Sequence, residues 1–138
     1  MKYLLLSSIL FSNLVFSQIS NLFNVDETYF CFVTNKNNKT MKNPYVIDLK
    51  RITWKSNKSK YFYTEDIKRS SRAGSQGTYF HIAKEDISQI LLTAFYDEAY
   101  GVVMTIAIEK GSKDFKLVTY DHRLPNYVDA ETGTCRDT

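Results

Sequence analysis

Reactive side chains are scarce in this chain. Two cysteines and two histidines are spread over 138 residues, and no two of the four lie close in sequence. H-E-x-x-H, paired C-x-x-C and EF-hand spacings are all missing, so no metal site is expected. The sequence also lacks G-x-S-x-G, G-x-x-x-x-G-K-[ST] and G-x-G-x-x-G, the nucleophile-elbow, phosphate-loop and dinucleotide patterns. His81 falls between Phe80 and Ile82 and reads as a histidine on a sheet face. His122 lies in Tyr120-Asp121-His122-Arg123. Asp121 and His122 are adjacent, so on a strand they point to opposite faces and make no ready dyad. The carboxylate pairs Asp26-Glu27, Glu65-Asp66, Glu85-Asp86 and Asp97-Glu98 all adjoin predicted turns. Neither catalytic residues nor a cofactor are expected, and the chain does not read as an enzyme.

Long apolar runs are also rare, with one exception at the start. Lys2 precedes a mostly apolar stretch, Tyr3–Phe16, and small residues follow. That order marks a secretory signal. The run falls short of the roughly 20 residues a spanning helix needs, and Ser7, Ser8, Ser12 and Asn13 interrupt it. Val15 and Ser17 fit the −3 and −1 positions, which places cleavage between Ser17 and Gln18. The cleavage point carries no cysteine, so a lipid anchor is not expected. The rest of the chain offers no membrane span. The expected location is secreted or periplasmic, with 1–17 as signal, 18–25 as lead-in and 26–138 as one β domain.

That domain reads as short β-rich runs between polar turns. In Asp26–Thr34, Tyr29, Cys31 and Val33 share one face, and Phe30 and Phe32 share the other. Asn35–Pro44 has the composition of a loop. Tyr45–Lys55 reads as one or two strands, kinked near Asp48–Arg51. Ser56–Ser59 marks a hairpin, and Tyr61 and Tyr63 share a face of Lys60–Thr64. Thr78–Ala83 is a strand. Residues 84–95 fit either a strand or one short helix, with the β-rich neighbourhood favouring strand. Val102–Glu109, the Gly111–Asp114 turn and Phe115–His122 form a hairpin. Tyr127–Arg136 is a last short strand. Seven or eight strands at about ten-residue spacing predict an all-β, mainly antiparallel barrel or sandwich, with the barrel preferred. The G-x-W strand signature of lipocalins is missing. Ser75–Tyr79 covers five residues of the serine- and glycine-containing motif of periplasmic lysozyme inhibitors and departs from it, so no family is assigned.

Two cysteines in an exported chain leave no odd thiol if they pair. Cys31 lies in the first predicted strand and Cys135 in the last, and a closed sheet makes those strands neighbours. One disulfide between them is expected. Charge is uneven along the chain. Eleven basic residues face three acidic ones from Lys36 to Arg72, and six face ten from Ala73 onward. Arg51, Trp54, Lys55, Lys60, Tyr61 and Tyr63 interleave rings with cations, a mixture that can hold single strands. Export makes nucleic acid a poor partner. An exported protein or an anionic envelope component suits the same surface better. The long polar loop Asp66–Gly77 brings Lys68, Arg69 and Arg72 and is the expected partner-binding loop. The leading functional reading is a small non-catalytic binding protein, of inhibitor or immunity type. The alternative is a carrier of a small apolar or aromatic ligand inside the barrel.

The exported protein should begin at Gln18. Intact mass or N-terminal sequencing of secreted material checks this, and a retained Met1–Ser17 segment would overturn it.

Overall fold

Val102–Glu109 alternates buried and part-exposed residues without a break until Glu109. Val102, Met104, Ile106 and Ile108 point one way; Val103, Thr105 and Ala107 point the other. Only a sheet with one dry face produces that period. A computed structural model of the chain describes residues 21–67, 77–97, 101–124 and 128–137, without the side chains of 96 and 97. The dry face it shows is the inside of a closed barrel.

Eight antiparallel strands follow one another around the wall: β1 (Phe23–Lys36), β2 (Lys39–Trp54), β3 (Lys60–Thr64), β4 (Thr78–Glu85), β5 (Gln89–Asp97), β6 (Val102–Glu109), β7 (Asp114–Asp121) and β8 (Val128–Asp137). Each strand pairs with its sequence neighbour, and β8 pairs with β1. The predicted all-β barrel is the fold. Residues 84–95 contain no helix. β4 runs to Glu85, and Asp86 then makes a tight turn, its Oδ1 accepting from Ser88 N, Ser88 Oγ and Gln89 N. β5 follows. An aspartate at the start of a turn satisfies the same kind of donors it would cap on a helix, so a tight turn and a helix start share one local signal.

Asn35–Pro44 is not one loop. β1 continues to Lys36, and Asn37 and Asn38 make a two-residue turn at φ 51° and 63°. Asparagine tolerates this left-handed region, and two such residues suit the hairpin twist. Met41–Pro44 then bulge out opposite Thr34 before Tyr45 regains register with Val33. Proline belongs at such a bulge because it cannot donate to a ladder. β1 also starts at Phe23, three residues earlier than expected.

The bore is filled. Val33, Ile47, Leu49, Phe62, Phe80, Ile90, Leu92, Ile106, Ile108 and Phe115 are buried there at 2% exposure or less. Phe62 and Phe80 face each other across β3 and β4. Each such side chain contributes about 1.5–3 kcal/mol of transfer free energy. The seam between β1 and β8 carries seven register pairs, among them Cys31 opposite Cys135. These two form a disulfide with their Cα atoms 3.9 Å apart. Next along the seam, Gly133 faces Val33. A Cβ at Gly133 would overlap the Phe32 carbonyl, so only glycine lets β8 approach here.

The Cys31→Ala/Cys135→Ala pair should lower stability by about 2–5 kcal/mol while keeping the β circular-dichroism signature. Denaturant unfolding with and without reductant measures it. A double variant as stable as the oxidised protein would show that the ladder alone holds the seam.

Candidate functional site

The inward row of β2 reads Tyr45, Ile47, Leu49, Arg51, in register with Val33, Cys31, Tyr29 and Glu27 of β1. It is polar at both ends and apolar between, and its two polar residues mark two different barrel ends.

Arg51 plugs the end where β1 starts and β8 finishes. Its Nη1 and Nη2 donate to the Glu85 carboxylate at 2.9 and 2.6 Å, and its Nε donates to Glu27 at 3.3 Å. The guanidinium also lies 4.7 Å above the Phe62 ring. Lys110 adds a second cation 3.3 Å from Glu85. The Arg51 hydrogen bond, more than any other neighbour, holds the Glu85 carboxyl down at about 2. Burial, with help from Glu27, pushes the Tyr29 hydroxyl up to about 12. A half-buried guanidinium bonded by two carboxylates and stacked on a ring caps this end of the bore. Arg51 therefore does not belong to the basic outer surface that its neighbours in sequence suggested.

The other end, where β1–β2, β3–β4, β5–β6 and β7–β8 connect, opens into a cup of about 440 Å³. Val102, Met104, Leu117 and Ile67 make its apolar floor, and Tyr45, Thr119, Asp66, Asp121, Arg123 and Glu131 line the rest. The Tyr45 hydroxyl donates to Glu131 Oε2. Burial first, and then this carboxylate, drive its ionisation well above the usual range. Asp121 is clamped by Arg123, with Nε and Nη2 at 3.0 and 2.8 Å, and its carboxyl is held low by that bond. Asp66 Oδ2 accepts from the Asp48 backbone N–H at 2.6 Å, and Thr78 Oγ1 donates to the Ile67 carbonyl at 3.0 Å. These bonds fix the base of the β3–β4 connection against the wall. The cup presents three carboxylates against one guanidinium above a hydrocarbon floor. That chemistry suits an apolar stem with a cationic tip.

Beside the cup, on the outer wall, Phe95, Val103, Tyr120 and Val128 stand directly opposite one another across β5, β6, β7 and β8. Phe95, Tyr120 and Val128 are about half exposed, and Leu124 adds to them in the turn after β7. This row is the feature that strand-by-strand reading missed. Each residue alone is an ordinary surface apolar residue; only the register aligns them.

Lys68, Arg69 and Arg72 lie outside the described residues, as do Ser17 and Gln18. His81 is exposed on β4 with its ring 5.1 Å from Tyr61, and His122 sits in the turn after β7, beside Gly101. Cys31 and Cys135 are joined across the seam. Among the described residues, no three of His, Cys, Asp and Glu gather as metal ligands.

Glu85 gives the molecule an acid limit. Its carboxyl is lower in the fold than its ordinary 4.5, so the Arg51 bond stabilises above that value and is lost as pH falls through about 2. Glu85→Gln should cost about 1 kcal/mol at pH 7. The gap from the parent should shrink between pH 4.5 and 2, as read by denaturant unfolding across pH; a gap constant over that range would refute the coupling.

Comparison with protein-family models, with curated proteins and with solved structures gives no match to this chain.

Proposed function

We propose that the protein is a non-catalytic binding protein that holds another exported protein at the wide mouth of its barrel, as an inhibitor or immunity protein would. The observation that carries this is the placement of the exposed Phe95–Val103–Tyr120–Val128 row beside an acid-rimmed cup. An exposed apolar patch edged by charge is the usual mark of a protein interface. A basic side chain of the partner enters the cup, and its apolar surface covers the row. Tyrosine at the centre of such a patch is a common anchor. The Cys31–Cys135 disulfide fits the oxidising compartment in which that partner would be met.

A second reading has one observation in its favour. At about 440 Å³, the cup has the size of a small-molecule site. Since the middle of the bore is occupied by side chains, a carried ligand would sit at the mouth, apolar part inward and cationic part at the rim.

The test is affinity capture by the mature protein from its own culture, followed by binding kinetics with what is captured. Val103→Glu/Tyr120→Glu points outward and should abolish capture at unchanged melting temperature. Met104→Trp, which fills the floor, should weaken a partner or ligand seated in the cup by about tenfold or more. Charge reversal at Lys68, Arg69 and Arg72 should slow association and weaken its salt dependence. Full capture by the Val103→Glu/Tyr120→Glu protein would overturn the reading.

A further inference from the structure

The outer wall of β1–β4 carries a second surface, separate from the row on β5–β8. The outward faces of these strands bear Phe23, Trp54, Tyr61, Tyr63, Tyr79 and His81. Phe23, Ile52 and Tyr63 are buried beneath their neighbours although they stand outside the bore. Around this small outer core, ring contacts run from Phe23 to Trp54 at 5.8 Å, from Trp54 to Tyr79 at 5.8 Å and from Tyr63 to Tyr79 at 4.8 Å. Trp54, Tyr61 and Tyr79 are left partly open. With Ser56 and Asn57 of the β2–β3 turn, they line a groove of about 360 Å³.

The same turn carries Lys55, Lys58 and Lys60, all exposed. Lys58 is held at φ 61°, and its N–H donates to the Trp54 carbonyl at 3.0 Å, so the turn is fixed on the groove's edge. Lys36, Lys50, Lys84, Lys110 and Lys113 each reach a carboxylate. The three turn lysines form no ion pair among the described residues. This groove therefore combines ring faces, a hydroxyl, an amide and uncompensated positive charge.

We propose that it binds an acidic polysaccharide. The negative face of an aromatic ring attracts the polarised C–H face of a sugar, and a row of rings accepts successive sugars. Ser56 and the Asn57 amide can both donate to and accept from ring hydroxyls. The lysines then meet carboxylate or sulfate groups along the chain, in attraction that salt weakens. A protein partner would need an apolar patch wide enough to exclude water, and this groove is small, polar on one side and rimmed by exposed lysines. The site works independently of the wide mouth.

Trp54 is the only tryptophan, so its emission reports occupancy of this groove alone. The oxidised, exported protein is titrated with polygalacturonate, heparin, neutral dextran and oligothymidylate. The expected result is a saturable change in Trp54 emission with the acidic glycans, none with dextran, and loss of the response at 0.5 M salt, where the Debye length is about half its physiological value. Polygalacturonate carries carboxylates alone and heparin carries sulfates as well, so their comparison shows what sulfate adds. Lys55→Glu/Lys58→Glu/Lys60→Glu should weaken binding by about tenfold or more, as removal of several polyanion contacts does, without moving the melting temperature. Val103→Glu/Tyr120→Glu should leave this binding intact. No emission change with either acidic glycan, equal binding by the lysine variant, or tighter binding of oligothymidylate would each overturn the proposal.

Discussion

Everything in this molecule depends on β8 closing against β1. An open eight-stranded sheet would leave two edges with unpaired backbone groups and would flatten away from its apolar face. Closure turns that face into a bore that water does not reach. The seam is secured in three ways at once. The ladder from Tyr29–Asp137 to Lys36–Glu131 supplies hydrogen bonds, the Cys31–Cys135 bond ties residues 104 apart in sequence, and Gly133 permits the close approach. Asn37 adds a clasp at the mouth, its backbone N–H and side-chain oxygen exchanging bonds with Ala130. A cross-link at this point acts mainly on the unfolded chain, where it shortens the largest loop available.

With the wall closed, the two ends become different chemical environments. One is sealed by a guanidinium that two carboxylates satisfy, with an aromatic face below it. The other ends in a tyrosine hydroxyl turned onto a carboxylate, above a floor that includes Met104 and Leu117. Both devices sit on one alternating row of β2. A strand that crosses the whole bore delivers polar groups to both rims and apolar groups to the middle, simply through its period of two.

The wall was legible in the sequence because alternation is a local signal. Tyr29, Cys31 and Val33 share a face in the sequence and in the fold, and Val102–Glu109 could be read directly. Closure was legible in part, since first and last strands carry the only cysteines. Asn35–Pro44 was not, because a two-residue asparagine turn and a four-residue bulge have the same composition as a loop. Arg51 was grouped with its basic neighbours, although Tyr45, Ile47 and Leu49 at steps of two already placed it on the inner row. The mouth and the outer apolar row had no sequence signal at all. The mouth draws on β2, the residues after β3, β6, β7 with the turn that follows it, and β8, and the row on β5 to β8; only the pairing of strands assembles them.

An even number of strands running up and down has a geometric consequence for how the protein can be attached to anything. β1 begins and β8 ends at the sealed end, opposite the cup. Any tether, neighbouring domain or surface joined through either strand end would therefore sit behind the barrel. The wide mouth and its four connections would face outward, like the head of a stalked receptor, whichever terminus carried the load.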